Sequence, residues 1–359
     1  MKFKLSKYFK GKKILITGHT GFKGSWLTFW MSNLGAKIVG VSKNIPTNPS
    51  TFNTLNLKKK CKDLRADISN LKIIKKIIIN EKPDFLFHLA AQSLVKKSFK
   101  KPIETFSSNT IGTLNILESL KFLKNQCNVV LITSDKSYKN LEKKNGYKES
   151  DRLGGSDPYS ASKAAAELAI QSYISSYFSK KSNIKITVAR AGNVIGGGDW
   201  SYDRLIPDCI KSWSKNKTVI IRSPNSTRPW QHVLEALGGY IVLSINLKNK
   251  KNLHGEAFNF GPSSNNQKNV ISLVKKMSKY WKNIRWKIKK NKKFKETKIL
   301  NLNCDKAKKL LSWKSVLSFD NNIKMVTDWY KTFYFNRKNI KELSVKQIRY
   351  YQNKINYKI

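Results

Sequence analysis

The chain has 359 residues, of which 70 are Lys or Arg and 22 are Asp or Glu, giving a formal net charge of +48. Hydrophobic residues make up 40%, which argues against a disordered polycation and for a folded protein with a sizeable core. No apolar run reaches the roughly 18 residues of a membrane-spanning helix, and the first residues lack the apolar stretch of a secretory signal. The four cysteines form no CxxC pair and the four histidines have no metal-ligand spacing. We therefore expect a cytoplasmic protein without a metal site.

The positive charge has two interpretations. A basic excess is expected of a protein that binds nucleic acid. It is also expected of a lysine-rich surface that has no such partner. The lysines are scattered along the whole chain and far outnumber the arginines, whose planar fork is better suited to reading base edges. We favour the second interpretation, and a nucleic-acid-binding protein is the less favoured alternative.

The first 195 residues alternate short apolar strands with helices. The pattern predicts strands over 13–17, 36–41, 84–89, 129–133 and 186–189. It predicts the intervening helices over 25–34, 70–80, 102–123 and 158–178. This alternation is typical of an α/β protein with a doubly wound parallel sheet of the Rossmann type.

The pattern changes after residue 196. We predict helices over 205–213 and 233–247, a strand over 257–260, and short amphipathic helices such as 270–281 in the lysine-rich remainder. Residues 1–195 would form the Rossmann domain, and residues 196–359 mainly a smaller C-terminal domain that binds the substrate. Segment 228–262 would return to the first domain, because its helix and strand continue the alternation.

Gly18, Gly21 and Gly24 follow the first strand and open the first helix in the pattern GxxGxxG. Glycines at these positions let the backbone approach a pyrophosphate, which the helix N-terminus stabilises. The second strand ends in Ser42 and Lys43, without the carboxylate that would bind a ribose 2′-hydroxyl. The motif therefore predicts a dinucleotide site and leaves NADP open beside NAD.

Tyr159 and Lys163 begin the long helix after Asp157-Pro158 and share one helix face. A nearby ammonium lowers the pKa of a phenol, so such a pair can take a proton from a sugar hydroxyl. The sequence Thr-Ser-Asp-Lys at 133–136 ends the fourth predicted strand, at the edge where open parallel sheets bind ligands. We predict an acid/base site there, the alternative being a turn that Asp135 caps.

Seven segments together resemble the nucleotide-sugar 4,6-dehydratases of the extended short-chain dehydrogenase/reductase family, in the branch that acts on CDP-glucose. They are GHTGFKGSW (18–26), HLAAQ (88–92), TSDK (133–136), DPYSASK (157–163), ARAGNVIGGGDW (189–200), DRLIPD (203–208) and RPWQHVLE (228–235). The resemblance spans about residues 8–262 and is weaker beyond. It implies a hydro-lyase with bound NAD that converts CDP-glucose to CDP-4-keto-6-deoxyglucose and water. Such a product serves the synthesis of surface polysaccharides such as lipopolysaccharide. Another nucleotide-sugar 4,6-dehydratase or a 4-epimerase is the alternative.

The resemblance also implies catalytic roles. Tyr159 would deprotonate the C4 hydroxyl, Lys163 would tune it and hold the nicotinamide ribose, and Ser134 would hydrogen-bond O4. Asp135 would protonate the hydroxyl that leaves C6. Lys136 stands where related dehydratases have the carboxylate that removes the C5 proton. Because an ammonium cannot accept a proton, Lys136 must be neutral in the complex or polarise the ketone.

The remaining implied contacts involve the cofactor and the substrate. NAD would contact Gly18, Thr20, Gly21, Phe22, Lys23, Gly24, Asp67, Ile68, Leu89, Ala90 and Ala91 together with Tyr159 and Lys163. Asp67 would contact the adenine, although from the sequence it is equally a helix N-terminal residue. The substrate would be held by Gln92, Asn193, Arg204 and Arg228, with Asn193 and Arg228 at its diphosphate. Helices 102–123 and 158–178 would form the four-helix bundle of a homodimer or homotetramer.

Overall fold

A seven-stranded parallel sheet forms the centre of the computed structural model, which describes residues 5–179, 181–263, 267–282, 284–289 and 300–355. Its strands are β1 (Lys13–Thr17), β2 (Lys37–Ser42), β3 (Lys62–Arg65), β4 (Phe85–His88), β5 (Cys127–Ile132), β6 (Ile184–Ala191) and β11 (Ala257–Phe260). They lie side by side in the order β11-β6-β5-β4-β1-β2-β3. Six short strands pair outside this sheet: β7 (Val194–Ile195), β8 (Val219–Ile221), β9 (Thr227–Pro229), β10 (Gln231–His232), β12 (Gln267–Asn269) and β13 (Trp286–Ile288). The doubly wound parallel fold that the sequence predicts is confirmed.

Helices cover both faces of the sheet. Those of the first half are α1 (Ser6–Phe9), α2 (Phe22–Asn33), α3 (Thr51–Thr54), α4 (Leu71–Glu81), α5 (Val95–Lys100), α6 (Pro102–Phe106), α7 (Gly112–Leu120) and α8 (Pro158–Tyr177). A π-helical turn (Ser107–Ile111) joins α6 to α7. The second half has α9 (Leu205–Trp213), α10 (Val233–Asn249), α11 (Val270–Ser278), α12 (Asp305–Leu311), α13 (Phe319–Phe335) and α14 (Ile340–Lys354).

Two separate cores lie on the two faces of the sheet. Ile14 and Ile16 of β1 belong to one buried cluster, whereas Leu15 between them belongs to the other. Successive side chains of a strand point to opposite faces, so a strand that is apolar throughout must be covered on both sides. The short apolar runs of the sequence therefore mark the interior of the sheet.

Strand β11 pairs in parallel with β6, and α10 packs against β5 and β6. Segments 233–249 and 257–260 thus extend the central sheet and its helical layer, although they follow residue 196 in the chain. The division of the chain into two domains near residue 195 remains a prediction.

Two features of the fold differ from the prediction. Strand β3 was missed because Leu64 is its one apolar residue, as suits an edge strand that is half exposed. The sequence predicts only short helices after residue 262, whereas α13 has 17 residues and α14 has 15. Helix α13 buries one face through Ile323, Val326 and Trp329, a periodicity that the lysine-rich composition conceals.

In the described ranges, no helix has both the length and the apolar character needed to cross a membrane. Within the same ranges, no group of three or more His, Cys, Asp or Glu side chains is placed to hold a metal ion.

Candidate active site

The predicted site residues lie where parallel strands end. Gly18 follows β1, Leu89 follows β4, Ser134 follows β5 and Asn193 follows β6. These strands are neighbours or near neighbours in the sheet. Their carboxyl ends therefore meet at one edge, the usual place of ligand sites in open α/β sheets.

The turn between β1 and α2 requires two of its three glycines for steric reasons. Gly18 has φ +74°, and a Cβ atom there would lie 2.7 Å from the backbone nitrogen of Ala90. A Cβ atom on Gly24 would collide with the carbonyl oxygen of Gly18. Helix α2 starts after Gly21, and no side chain caps its N-terminal N–H groups. These amides, beside the buried Thr20 and the half-buried Phe22 and Lys23, suit the pyrophosphate of a dinucleotide.

At the end of β2, the polar side chains have partners within the protein. Ser42 Oγ lies 2.9 Å from His19 Nδ1. The Lys43 ammonium forms an ion pair with Asp67 at 2.7 Å. Although burial opposes the effect, hydrogen bonds from Lys43 and Ser69 hold the pKa of Asp67 below its usual value. This carboxylate is therefore charged and paired.

The alternative role of Asp67 as a helix cap is wrong. Asn70 is the N-cap of α4, and its side chain accepts a hydrogen bond from Ile73 N–H at 3.1 Å. Asp67 instead accepts hydrogen bonds from the backbone N–H and the hydroxyl of Ser69, at 3.0 and 2.8 Å. The neighbouring Ile68 is buried, and its carbonyl accepts from Asn115 Nδ2 at 2.9 Å.

Residues 89–92 follow β4 directly at this edge of the sheet. Leu89, Ala90 and Ala91 are half-buried, and Ala90 N–H donates to Thr17 Oγ1 at 3.2 Å. Gln92 Oε1 accepts from Leu94 N–H at 2.7 Å, and its Nε2 donates to the Leu94 carbonyl at 3.1 Å. The Gln92 amide thus has partners in its own loop, and its contact with a substrate remains a prediction.

Helix α8 places Tyr159 and Lys163 on one buried face. Its N-cap Asp157 accepts hydrogen bonds from the N–H groups of Tyr159 and Ser160, both at 3.0 Å. The turn Asp135–Ser137 follows β5 and packs against this helix. The structure therefore brings the predicted pair and the predicted acid/base turn together.

Burial sets the protonation states of this centre. It raises the pKa of Asp135 above the usual value of a carboxyl, against the charge of Lys136 and the hydrogen bond from Ser134. It also raises the pKa of Tyr159, which a hydrogen bond with Ser134 partly opposes. It lowers the pKa of Lys163 to about 8, against the attraction of Glu167. Room for the acid comes from Gly192, where a Cβ atom would lie 2.8 Å from Asp135 Oδ2.

The turn is also held by its own hydrogen bonds. Ser134 Oγ donates to Asp135 Oδ1 at 2.9 Å and accepts from Lys136 N–H at 3.2 Å. The Lys136 side chain is half-buried, and its charge favours the ionised form of Asp135 against the effect of burial. An acid, a hydroxyl and an amine thus occupy consecutive positions at the sheet edge.

Two more cations face this centre. Burial, with the charges of Lys163 and Arg204, lowers the pKa of Lys23 to about 8. Arg204 forms an ion pair with Asp199 at 2.9 Å, and its charge also lowers the pKa of Tyr159. Arg204 therefore acts on the phenol of the predicted pair as well as being a candidate for the diphosphate.

Tyr240 of α10 lies at the candidate site, and the sequence pattern did not predict it there. Lys23 Nζ donates to the Tyr240 hydroxyl at 3.4 Å. Burial, together with the charges of Tyr159 and Asp135, raises the pKa of this hydroxyl. Because Tyr240 lies within an apolar helix that is buried along most of its length, the sequence pattern indicates only a core position there.

Asn193 and Arg228 lie on short segments outside the central sheet. Asn193 is half-buried between β6 and β7, and its carbonyl accepts from Gln231 N–H at 3.2 Å. Arg228 is a half-buried residue of β9, and its Nη1 donates to the Thr227 carbonyl at 2.9 Å. Their binding of a diphosphate remains a prediction.

Comparison with known proteins identifies the family. The family model described as GDP-mannose 4,6 dehydratase matches residues 15–326, and the chain belongs to this family. Over 331 residues it is 41% identical to the CDP-glucose 4,6-dehydratase of Salmonella typhimurium, covering 91% of this chain and 92% of that protein. The resemblance seen in the sequence motifs is thereby confirmed.

One more distant sequence relative and two solved structures also match the chain. The CDP-paratose 2-epimerase of Salmonella typhi is 27% identical, over 75% of this chain and 84% of that protein. An epimerase structure from Methanothermobacter thermautotrophicus superposes with a TM-score of 0.77 at 24% identity, covering 95% and 96% of the two chains. The NAD complex of dTDP-glucose 4,6-dehydratase from Bacillus anthracis gives 0.73 at 22% identity, covering 93% and 100%.

Proposed function

We propose that the protein is a CDP-glucose 4,6-dehydratase, a hydro-lyase that forms CDP-4-keto-6-deoxyglucose and water. The observation that carries the reaction is the buried acid Asp135 beside Tyr159 and Lys163. A 4-epimerase needs the pair but has no hydroxyl to expel, whereas a dehydratase needs a proton donor for the departing oxygen. The 41% identity over most of the chain to a relative of that name supports the CDP-linked substrate.

Tyr159 acts as the base that takes the proton of the C4 hydroxyl. Its phenol is buried and has a raised pKa, so it needs the positive charge of Lys163 to stabilise the phenolate. Ser134 holds O4 in place for the transfer. NAD held at the glycine turn would supply the redox chemistry, the acceptance and return of one hydride.

Asp135 acts as the acid at C6. Burial raises the pKa of its carboxyl, which favours the protonated form that can donate to the hydroxyl oxygen as the bond to C6 breaks and water leaves. Lys136 is assigned to the C5 side of the sugar. There it accepts the C5 proton as a neutral amine; as an ammonium it would only polarise the C4 ketone, and another base would have to take the proton.

The end of β2 supports NAD rather than NADP. The cation that would bind a 2′-phosphate, Lys43, is already paired with Asp67. Ser42 is engaged by His19. A phosphate at this position would therefore meet a carboxylate as well as a lysine.

The assembly that we propose is a homodimer or homotetramer. Several large apolar side chains of segments 95–123 and 158–178 are exposed in the single chain, which supports a helical bundle between subunits. They are Phe99, Ile103, Ile111, Phe122, Leu168 and Tyr177. The four cysteines are all free, which fits a reducing cytoplasm. There the product would supply a deoxysugar for surface polysaccharide such as lipopolysaccharide.

A product assay tests this function. The protein with NAD is incubated in turn with CDP-, dTDP-, GDP- and UDP-glucose, and the products are identified by NMR. We expect a 4-keto-6-deoxy sugar from CDP-glucose with no net NADH. Inversion at C4 alone would favour the 4-epimerase alternative, and turnover of another nucleotide sugar in its place would contradict the CDP assignment. Asp135→Asn is the matched variant, which should bind CDP-glucose without releasing water.

A further inference from the structure

Glu167 lies one helical turn beyond Lys163 on α8, in the same stripe as Tyr159. Its side chain and that of Arg190 on β6 are both 1% exposed. Arg190 Nε donates to Glu167 Oε1 at 2.8 Å, and Nη2 donates to Oε2 at 2.5 Å. The helix that carries the pair is thus joined to the end of β6 by a two-pronged ion pair.

The same carboxylate holds both ends of the acid/base turn. Thr133, directly before the turn, donates from Oγ1 to Glu167 Oε1 at 2.6 Å. The Ser137 hydroxyl, at the end of the turn, lies 3.0 Å from Oε1 and 2.7 Å from the Ser134 carbonyl, both of which can accept its proton. Asp135 and Lys136 lie between these two anchors, so their position relative to α8 depends on one carboxylate.

Arg190 extends this connection to Tyr138, the residue directly after the turn, and to the sheet. Its Nη1 donates to the Tyr138 hydroxyl at 2.7 Å and to the Glu149 carbonyl at 3.0 Å. The Tyr138 hydroxyl in turn donates to Asn259 Oδ1 on β11 at 2.8 Å. The turn is therefore fixed against α8, β6 and β11 at once.

We infer that Glu167 is a positioning residue, which aligns the Asp135–Lys136 turn with the Tyr159–Lys163 pair. The inference rests on the proposed function for the roles of those four residues. Glu167 touches neither substrate nor cofactor in it. The inference also has an electrostatic part: Glu167 lies one turn from Lys163 on the same face of α8, and its charge opposes the lowering of the Lys163 pKa by burial.

The first test is the variant Glu167→Gln, which keeps the shape but removes the charge. We expect CDP-glucose to bind within about twofold of wild type, and kcat to fall about 10²-fold, the scale of a misplacement of about 1 Å. The alkaline limb of the kcat profile should move to lower pH, because Lys163 then loses its proton sooner. Glu167→Asp retains the charge and should restore the position of that limb.

A second variant covers the case in which Glu167→Gln leaves Arg190 buried without a counter-charge and does not fold. Ser137→Ala removes one anchor of the turn and leaves the Glu167–Arg190 ion pair intact. It should lower kcat about tenfold, the scale of one lost hydrogen bond, with the alkaline limb in place. The matched control is Glu235→Gln, another buried carboxylate, on α10 and facing residues 315–317. This variant should have the kcat of wild type and the same alkaline limb of its pH profile.

The inference would be overturned if Glu167→Gln had the kcat of wild type and the same alkaline limb of its pH profile. A wild-type kcat in Ser137→Ala would also overturn it. The inference would also be overturned if Glu167→Gln lost CDP-glucose affinity and kcat to the same extent while the alkaline limb of the pH profile stayed in place, because that result would show a general structural role. NMR titration of Lys163, assigned with Lys163→Met, needs no turnover and should show a lower pKa in Glu167→Gln. Failure of wild type to convert CDP-glucose would therefore refute the proposed function alone, and the titration would still decide the inference.

Discussion

The carboxylate of Glu235 makes the stability of the protein depend on pH. This side chain is fully buried on α10. Its Oε1 accepts hydrogen bonds from Ser315 Oγ at 3.0 Å, Val316 N–H at 2.8 Å and Leu317 N–H at 2.7 Å. The Tyr351 hydroxyl of α14 lies 3.4 Å from Oε2. Glu235 thus attaches the C-terminal segment to the helix beside the central sheet.

The size and sign of the effect follow from the pKa. Burial raises the pKa of Glu235 from 4.5 to about 7, against the hydrogen bonds that it accepts. The folded state therefore favours the protonated acid, and this stability is fully present below about pH 4.5 and lost as the pH rises through about 7. Integrated between pH 5 and pH 8, the loss amounts to about 2.5 kcal/mol.

The variant Glu235→Gln should remove this loss. An amide oxygen accepts the same three hydrogen bonds and carries no charge at any pH. The free energy of unfolding of the variant, relative to wild type, should rise by about 2.5 kcal/mol from pH 5 to pH 8. Urea unfolding of the full chain, followed by circular dichroism at each pH, measures it. A difference between variant and wild type that does not change with pH would refute the reasoning.

Two controls separate charge from hydrogen bonding. Glu235→Leu removes the carboxylate oxygen that accepts from the N–H groups of Val316 and Leu317, which should cost about 1–3 kcal/mol for each at every pH. Glu342→Gln removes an exposed carboxylate paired with Lys346 on α14, and should leave the pH dependence unchanged.

Three further predictions concern the site. Tyr159→Phe should lower kcat by about 10²–10⁴-fold while calorimetry shows CDP-glucose still bound; full turnover would remove Tyr159 from its role. Gly18→Ala should cost about 1–3 kcal/mol from its positive φ and abolish NAD binding by pushing Ala90 away; unchanged urea unfolding would contradict this. Asp67→Ala should free Lys43 and improve NADP binding relative to NAD about tenfold in a fluorescence titration, a gain that should vanish when Lys43→Ala is added.

The sequence predicted those parts of the fold and site that a local pattern specifies. Buried strands gave apolar runs, and the glycine turn and the Tyr–Lys spacing marked the sheet edge because each needs fixed residue types at fixed offsets. Strand β3 gave no such signal, since an edge strand with Lys62, Asp63 and Arg65 buries little and is defined by its pairing with β2.

The missed site residues depend on contacts between distant segments. Glu167 is a polar residue in a helix, which a sequence pattern places on a solvated face. Its burial depends on Arg190, 23 positions away. The spacing of Tyr159, Lys163 and Glu167 at every fourth position was a signal that could have found it, because the first two already define the buried face of α8. Tyr240 offered no comparable signal.

The positive charge of the chain has a specific consequence at the catalytic centre. Lys23, Lys163 and Arg204 lie near Asp135, and burial lowers the pKa of each lysine to about 8. A nucleotide diphosphate would bring two negative charges to this cluster and raise both pKa values again. Lys163 would then be protonated when Tyr159 must lose its proton. The substrate would thus complete the electrostatics of its own reaction, which favours a diphosphate-linked sugar over a neutral one whatever its base.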